Sequence, residues 1–332
     1  MPCKRETDES GEWFESRVRR VHYRRQRIDR RAAADELAAR GAHVDLRAMT
    51  EVDILDRLTA AHGGRDAWSD VTAISARLST GGLAYKSRLR FGALRHTEVA
   101  VHLLERRVSI LDFPRQGWWG EWCHDQVSIG PDGGAAELMR TQTRGRFKGW
   151  LAHPRWDDLD LLFFLGYALW NYLSFPRLLA LPGVVLRLLH GGRHRQPTLL
   201  AARFPDDIPT HCEHQYFHLD ADGLLRRHDY VAEVFGRWAA GANHCLRNEM
   251  VDGLRLYTRR RVVPAMGHRA SLPLPTLVWV ELDDLRVIRE PQAPAIKARW
   301  TSVAPPPDSP PTSFGHRRIQ PSAHDTPTKA TA

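Results

Sequence analysis

Lysine is nearly missing from this 332-residue chain, whose 48 basic residues are 43 arginines and only 5 lysines. We read that ratio as coding bias, because the net charge of +9 is not gathered in one place. Residues 1–48 carry 12 basic and 9 acidic side chains and residues 290–332 carry 5 and 3, leaving 31 against 27 for the centre. A nucleic-acid module concentrates Arg and Lys on one face around a reading motif, so no nucleic-acid partner is expected. Cysteine is scarce as well: Cys3, Cys123, Cys212 and Cys245 form no CxxC pair, which excludes a disulfide scaffold or a zinc ribbon and suits a reducing compartment. The longest uncharged apolar run, residues 161–175, has 15 residues and stops at Pro176, short of the roughly 20 that span a bilayer. The opening residues are charged throughout and lack the apolar stretch of a secretory signal, so a cytoplasmic location is expected. The glycine pairs at 81–82, 133–134 and 191–192 fit neither GxGxxG nor GxxxxGK[ST]. With no GxSxG elbow either, nucleotide binding and α/β-hydrolase chemistry find no support.

What is present is the material of a sizeable core, with 42% hydrophobic and 26% charged residues. From Thr50, the positions Val52, Ile54, Leu55, Leu58 and Ala61 follow helical spacing, and Gly63-Gly64 stops the run. The period then changes to two. Strands are predicted over residues 74–78, 85–90, 94–102 and 107–113, and again over 198–204, 211–219, 224–234, 242–251, 254–263 and 277–288. Asp220-Ala221-Asp222-Gly223 and Asp252-Gly253 supply the left-handed positions that hairpin turns need, and no helix of βαβ type separates the strands. Between the two groups lies a segment, residues 156–173, with Asp157, Asp158 and Asp160 in its first turn and apolar residues on nearly every side thereafter. Such a helix must be enclosed by protein or lipid. A second apolar piece, residues 178–189, is broken by Pro182-Gly183. The expected fold is therefore α+β: an antiparallel β half-barrel of about ten strands wrapped around one or two apolar helices, over residues 49–289. Residues 1–48 read as an Arg-rich extension, disordered or not native, with Met49 as an alternative start. Residues 290–332 hold 9 of the 21 prolines and read as a disordered tail.

The order of these signals carries a resemblance. Ala61-His62-Gly63-Gly64, then Trp68, then Val71-Thr72-Ala73-Ile74 and the strand ending at Gly81-Gly82, with Trp156-Asp157-Asp158-Leu159, residues 166–173, Phe204-Pro205-Asp206 and residues 222–230, resemble an uncharacterised bacterial family. Its members look like the lipoprotein-carrier superfamily of LolA and LolB type. The resemblance covers roughly residues 50–289 and implies a LolA/LolB-like half-barrel with a cavity for acyl chains or other apolar ligands.

Candidate ligand-binding residues are Phe164, Tyr167, Trp170 and Tyr172 on the apolar helix, with Trp119 and Trp122 at the rim, since aromatic side chains line apolar pockets. The expected partner is an apolar or amphipathic small molecule, with peripheral membrane contact as a further expectation. Three readings stay open: a binder or carrier of such a molecule, an enzyme acting on a hydrophobic substrate with or without a metal, and a partner-binding domain whose helices simply fill the core. For the enzyme, the candidate ligands are His211, Cys212, His214, His228 and His244, because a metal needs three or four N, S or O donors converging. No cofactor is assigned. His228-Asp229 are neighbours on a strand and point to opposite faces, which places them poorly for an imidazole–carboxylate base. His62 is either a residue at the mouth of the cavity or a local helix cap. The arginines of residues 140–146 are a candidate surface for an anionic head group.

Overall fold

The computed structural model describes residues 50–92, 94–147, 154–190 and 197–289. The extension at 1–48 and the tail at 290–332 lie outside the described residues.

Helix α1 (Glu51–Ala61) begins where expected because Thr50 and Asp53 cap each other's backbone N–H groups. It buries Ile54 and Leu58 and ends at Gly63, whose φ of 113° and closeness to the Gly253 carbonyl (a Cβ would fall 2.2 Å from the oxygen) only glycine meets. A short helix α2 (Arg65–Ser69) follows, then β1 (Val71–Gly81). The strand predicted over residues 85–90 is instead a one-turn helix, α3 (Leu83–Lys86). The amides of Leu83 and Ala84 bond to the carbonyls of Thr276 and Leu277, which turns the chain away from the sheet.

The chain then runs through β2 (Leu94–His102), β3 (Arg107–Leu111), β4 (Trp118–Cys123), β5 (Gln126–Pro131) and β6 (Leu138–Arg140). Helix α4 (Asp158–Leu173) crosses to the far edge, where β7 (Val185–His190), β8 (Thr198–Arg203), β9 (His214–Leu219), β10 (Leu225–Val231), β11 (Ala240–Val251) and β12 (Leu254–Met266) work back toward the start. A short β13 (Ala270–Ser271) lies on β12, and β14 (Val278–Arg289) is inserted between β12 and β1. The strand order is β6-β5-β4-β3-β2-β1-β14-β12-β11-β10-β9-β8-β7, with every ladder of this path antiparallel. It consists of two meanders joined side by side through β14. The terminal strands β6 and β7 do not pair with each other, so the sheet stays open as a half-barrel.

Among the described residues the sheet has 14 strands where about ten were expected. The additional ones include β4, β5 and β6, and β7, which takes the second apolar piece. Pro182-Gly183 ends a 3-10 turn at Arg177–Ala180, and the residues beyond pair with β8 instead of forming a second apolar helix. One long helix thus occupies the concave face. Fifteen of the 16 residues of α4 are buried, and it packs against β2 to β6 on one side and β12 on the other. Burying each large apolar side chain contributes about 1.5–3 kcal/mol, so this helix is a principal source of stability. Its N-terminus is fixed by an Asp157–Asp160 capping box. Asp160, fully buried, is neutralised by Arg140 Nη1 at 2.8 Å and Arg146 Nε at 2.9 Å. Among the described residues, no helix is long and apolar enough to cross a membrane.

Candidate functional site

The six aromatic candidates separate into three settings. Phe164 and Tyr172 line a small cavity between α4 and the sheet, together with Leu78, Thr80, Tyr85, Leu165, Ala168, Leu169, Val278 and Val280. The space open to the centre of a water molecule is only ≈ 10 Å³, about what a single water requires. Trp122 and Trp170 pack on each other with ring centroids 6.4 Å apart, and Trp119 donates its indole N–H to the Pro131 carbonyl at 2.9 Å. Tyr167 turns away from the cavity and meets His211, its hydroxyl 3.3 Å from Nδ1. All six are buried, including the two tryptophans expected at a rim.

Beside the cavity, on β9 to β12, the concave face changes character. His211, on the loop before β9, and Gln215, His228, Tyr230, Asn243, Cys245, Thr258 and Arg260 are all buried in this region, where His211, Tyr230 and Arg260 meet Tyr172 of α4. Hydrogen bonds order part of this cluster. Gln215 donates its amide to the Cys212 carbonyl at 2.9 Å, so its oxygen faces His228 Nε2, which donates to it at 2.6 Å. His211 lies flat on Tyr230, with centroids 3.7 Å apart and planes 4° from parallel, and the Tyr172 and Tyr230 hydroxyls pair at 2.9 Å. Burial, reinforced by the positive charges of Arg144 and Arg260 for His211 and by His211 and Arg260 for His228, holds both imidazoles well below their usual pKa. Both are therefore neutral at physiological pH. Burial pushes the Tyr172 phenol up to about 12 and holds the Tyr230 phenol well above its usual pKa.

Arg260 is the exception in this neutral surrounding. Its side chain is 2% exposed, and an arginine stays charged when buried. Among the described residues no carboxylate pairs with it. Its guanidinium sits 4.6 Å from the Tyr172 ring centroid and 5.0 Å from that of Tyr257. Its hydrogen bonds go to the Cys245 sulfur at 3.1 Å and the Tyr172 carbonyl at 3.4 Å. Cation–π contacts contribute about 2 kcal/mol when desolvated, against a penalty of several kcal/mol for an unpaired buried ion. The cluster is under-satisfied elsewhere too: Arg260 Nε, Thr258 Oγ1, both amide atoms of Asn243 and His211 Nε2 have no partner among the described residues. Native interiors leave few such atoms.

The metal candidates do not converge. His211 and His228 share the concave face with ring centroids 6.2 Å apart. Cys212 gives its thiol proton to the His214 carbonyl and accepts the Val231 N–H at 3.2 Å, and burial pushes its pKa up to about 11. The His214 ring is exposed beside Glu213, and His244 meets Ser271 at 3.2 Å. Among the described residues, no group of three His, Cys, Asp or Glu is placed to hold a metal ion. The strand expected from residue 211 begins only at His214, which leaves His211 on a loop that folds inward.

His62 is fully buried beneath α1. Nδ1 donates to the Leu58 carbonyl at 2.7 Å, and Nε2 accepts the Tyr257 hydroxyl at 2.8 Å. The arginines at 140–146 are already engaged, Arg140 and Arg146 with Asp157 and Asp160, and Arg144 with Glu233 and the Thr210 carbonyl.

Arg260, Tyr230, Gln215, Asn243 and Thr258 were not among the sequence candidates. A signal for Arg260 existed in Arg259-Arg260-Arg261 on a strand. Alternation sends the middle residue to the face opposite its neighbours, and the outer two reach Glu281 and Thr276.

No protein-family model and no curated protein matches the chain. Solved structures are similar to it, among them three. A DUF1329 family protein from Desulfovibrio piger is 14% identical, over 70% of this chain and 91% of that one, with a TM-score of 0.40. A LolA superfamily protein from Nitrosomonas europaea is 10% identical, over 74% and 97%, with a TM-score of 0.42. The lipoprotein LppX from Mycobacterium tuberculosis is 11% identical, over 73% and 98%, with a TM-score of 0.25. The half-barrel itself is established by the strand order and by the helix lying across it.

Proposed function

We propose that the protein binds an apolar or amphipathic, lipid-like small molecule in the concave face of the half-barrel, between α4 and strands β1, β12 and β14. The observation that carries this reading is the adjacency of an apolar cavity to a buried polar cluster with unused donors and acceptors. Buried polar atoms without partners are costly, and a ligand with a polar end and an apolar body meets both surfaces at once. Support also comes from exposed apolar residues on the segments that adjoin the lining residues Tyr85 and Val278. α3, the turn after it and residues 272–277 expose Leu83, Leu89, Phe91, Leu272 and Leu274, with Phe91 75% and Leu274 66% exposed. Exposed apolar residues of this kind suit uptake of an apolar ligand and peripheral contact with a membrane.

The close fit of α4 favours a second reading, in which the helix completes the core and the domain meets a protein partner. Native mass spectrometry of the full chain, purified without chelator and followed by lipid and metal extraction, separates the readings. A stoichiometric co-purifying lipid-like molecule is the expected result. A chain without ligand that also fails to take up added lipid overturns it in favour of the filled core. A stoichiometric metal redirects attention to the histidines as enzymatic ligands.

A further inference from the structure

We propose that the ligand of the concave face is a long-chain carboxylic acid, with its carboxylate on Arg260 and its hydrocarbon chain entering the cavity beside α4. The inference rests on the ligand-binding reading above and adds the chemistry of the head group.

The head position follows from the state of Arg260. Its guanidinium is held in place by the rings of Tyr172 and Tyr257, which orient a cation without neutralising it. Its two acceptors are a thiol sulfur, which accepts weakly, and a carbonyl at 3.4 Å, beyond the usual range for N–H···O. Nε has no partner among the described residues. The planar fork of an arginine matches a carboxylate bidentately, so a carboxylate supplies both the missing charge and the missing acceptors. The Asn243 amide and Thr258 hydroxyl, without partners among the described residues, are on the same strand pair, β11 and β12. The surrounding histidines and phenols are neutral, so nothing in the cluster competes for the anion or repels it. A single positive charge also suits a single negative one. A phosphate monoester carries more charge than one guanidinium offsets, and Arg260 is the only guanidinium stacked on Tyr172 among the described residues.

The tail position follows from two residues that belong to both sites. Tyr172 carries the guanidinium on its ring and lines the cavity, and Val280, another lining residue, is the register partner of Arg260 across β12 and β14. A chain attached at Arg260 therefore passes Tyr172 and Val280 into the space bounded by Leu78, Phe164 and Leu169. That space admits about one water, so entry of the chain displaces side chains of α4.

The test is titration calorimetry of the delipidated full chain with palmitate, 1-hexadecanol and hexadecyl phosphate. Palmitate is expected to bind at least tenfold more tightly than the alcohol and more tightly than the phosphate, and Arg260→Met is expected to reduce the acid to the affinity of the alcohol. Equal binding of acid and alcohol by the natural chain overturns the head-group assignment and leaves the ligand-binding reading standing. Binding of none of the three overturns both. Tighter binding of the phosphate overturns the carboxylate, and an acid preference that survives Arg260→Met overturns the role of Arg260. Should that variant fail to fold, Arg260→Lys keeps the charge and loses the fork, and undiminished palmitate binding by it overturns the bidentate contact.

Discussion

Gly166 of α4 lies so close to Trp122 of β4 that a Cβ on the glycine would fall 2.3 Å from both Cβ and Cγ of the tryptophan. In an isolated helix, replacing glycine by alanine gains up to about 1 kcal/mol. Here the clash reverses the sign, because overpacking a dense core costs about 1–3 kcal/mol. Gly166→Ala is expected to lower the urea midpoint, and Trp122→Leu in the same chain to recover part of the loss. Strictly additive losses would show that the two residues do not share the contact.

Acid is expected to unfold the protein through its buried histidines. Burial holds His62 and His102 down to about 4, against 6.5 for a free imidazole, and holds His211 and His228 well below that ordinary value too. The unfolded chain thus binds more protons than the folded one below pH 6.5, and stability falls as pH drops from there toward 4. His62 alone accounts for roughly 3 kcal/mol across that window. Melting temperatures measured from pH 7 to 4 should fall steeply, and less so in His62→Gln. A flat profile would mean that these rings are reached by water.

Arg260 separates stability from binding. Exchanging a buried, unpaired ion for an apolar side chain of similar volume is often neutral or stabilising by about 1–4 kcal/mol. Delipidated Arg260→Met is therefore expected to melt at or above the temperature of the natural chain. A large drop would make Arg260 a structural post held by Tyr172 and Tyr257.

The start of α4 is expected to be far less tolerant. Asp160→Ala removes half of the capping box and strips Arg140 and Arg146 of a buried partner. Breaking such a pair costs about 3–5 kcal/mol, here toward the lower end because both arginines are partly exposed. A loss below about 1 kcal/mol by denaturant titration would show that Asp157 caps the helix unaided.

Local signals made much of this fold legible. Thr50 and Asp53, the Asp220–Gly223 and Asp252-Gly253 turns, and the acids ahead of α4 act over a few residues, and each lies where its chemistry placed it. The failures arose where distant contacts decide. α3 is a helix because Leu83 and Ala84 are held by Thr276 and Leu277, almost 200 residues away in sequence. Val185–His190 is a strand because β8 is beside it, although its apolar run is equally compatible with a helix. The polar cluster escaped notice for a related reason. Its members come from a loop, four strands and one helix, and no short window contains two of its chief contacts, Arg260 with Tyr172 and His211 with Tyr230.

The position of β14 has a consequence for how the protein comes into being. The strand that locks β1 to β12 is the last of the fourteen to leave the ribosome. Until it arrives, the meander edges at β1 and β12 are bare and the Val278 and Val280 wall of the cavity beside α4 is missing. Sheets closed by such remote pairings form slowly and expose sticky surface on the way. A chain that stalls or is cut just before Val278 is therefore left as two unjoined half-sheets with the cavity beside α4 open on one side, the form in which chaperones or proteases would meet it.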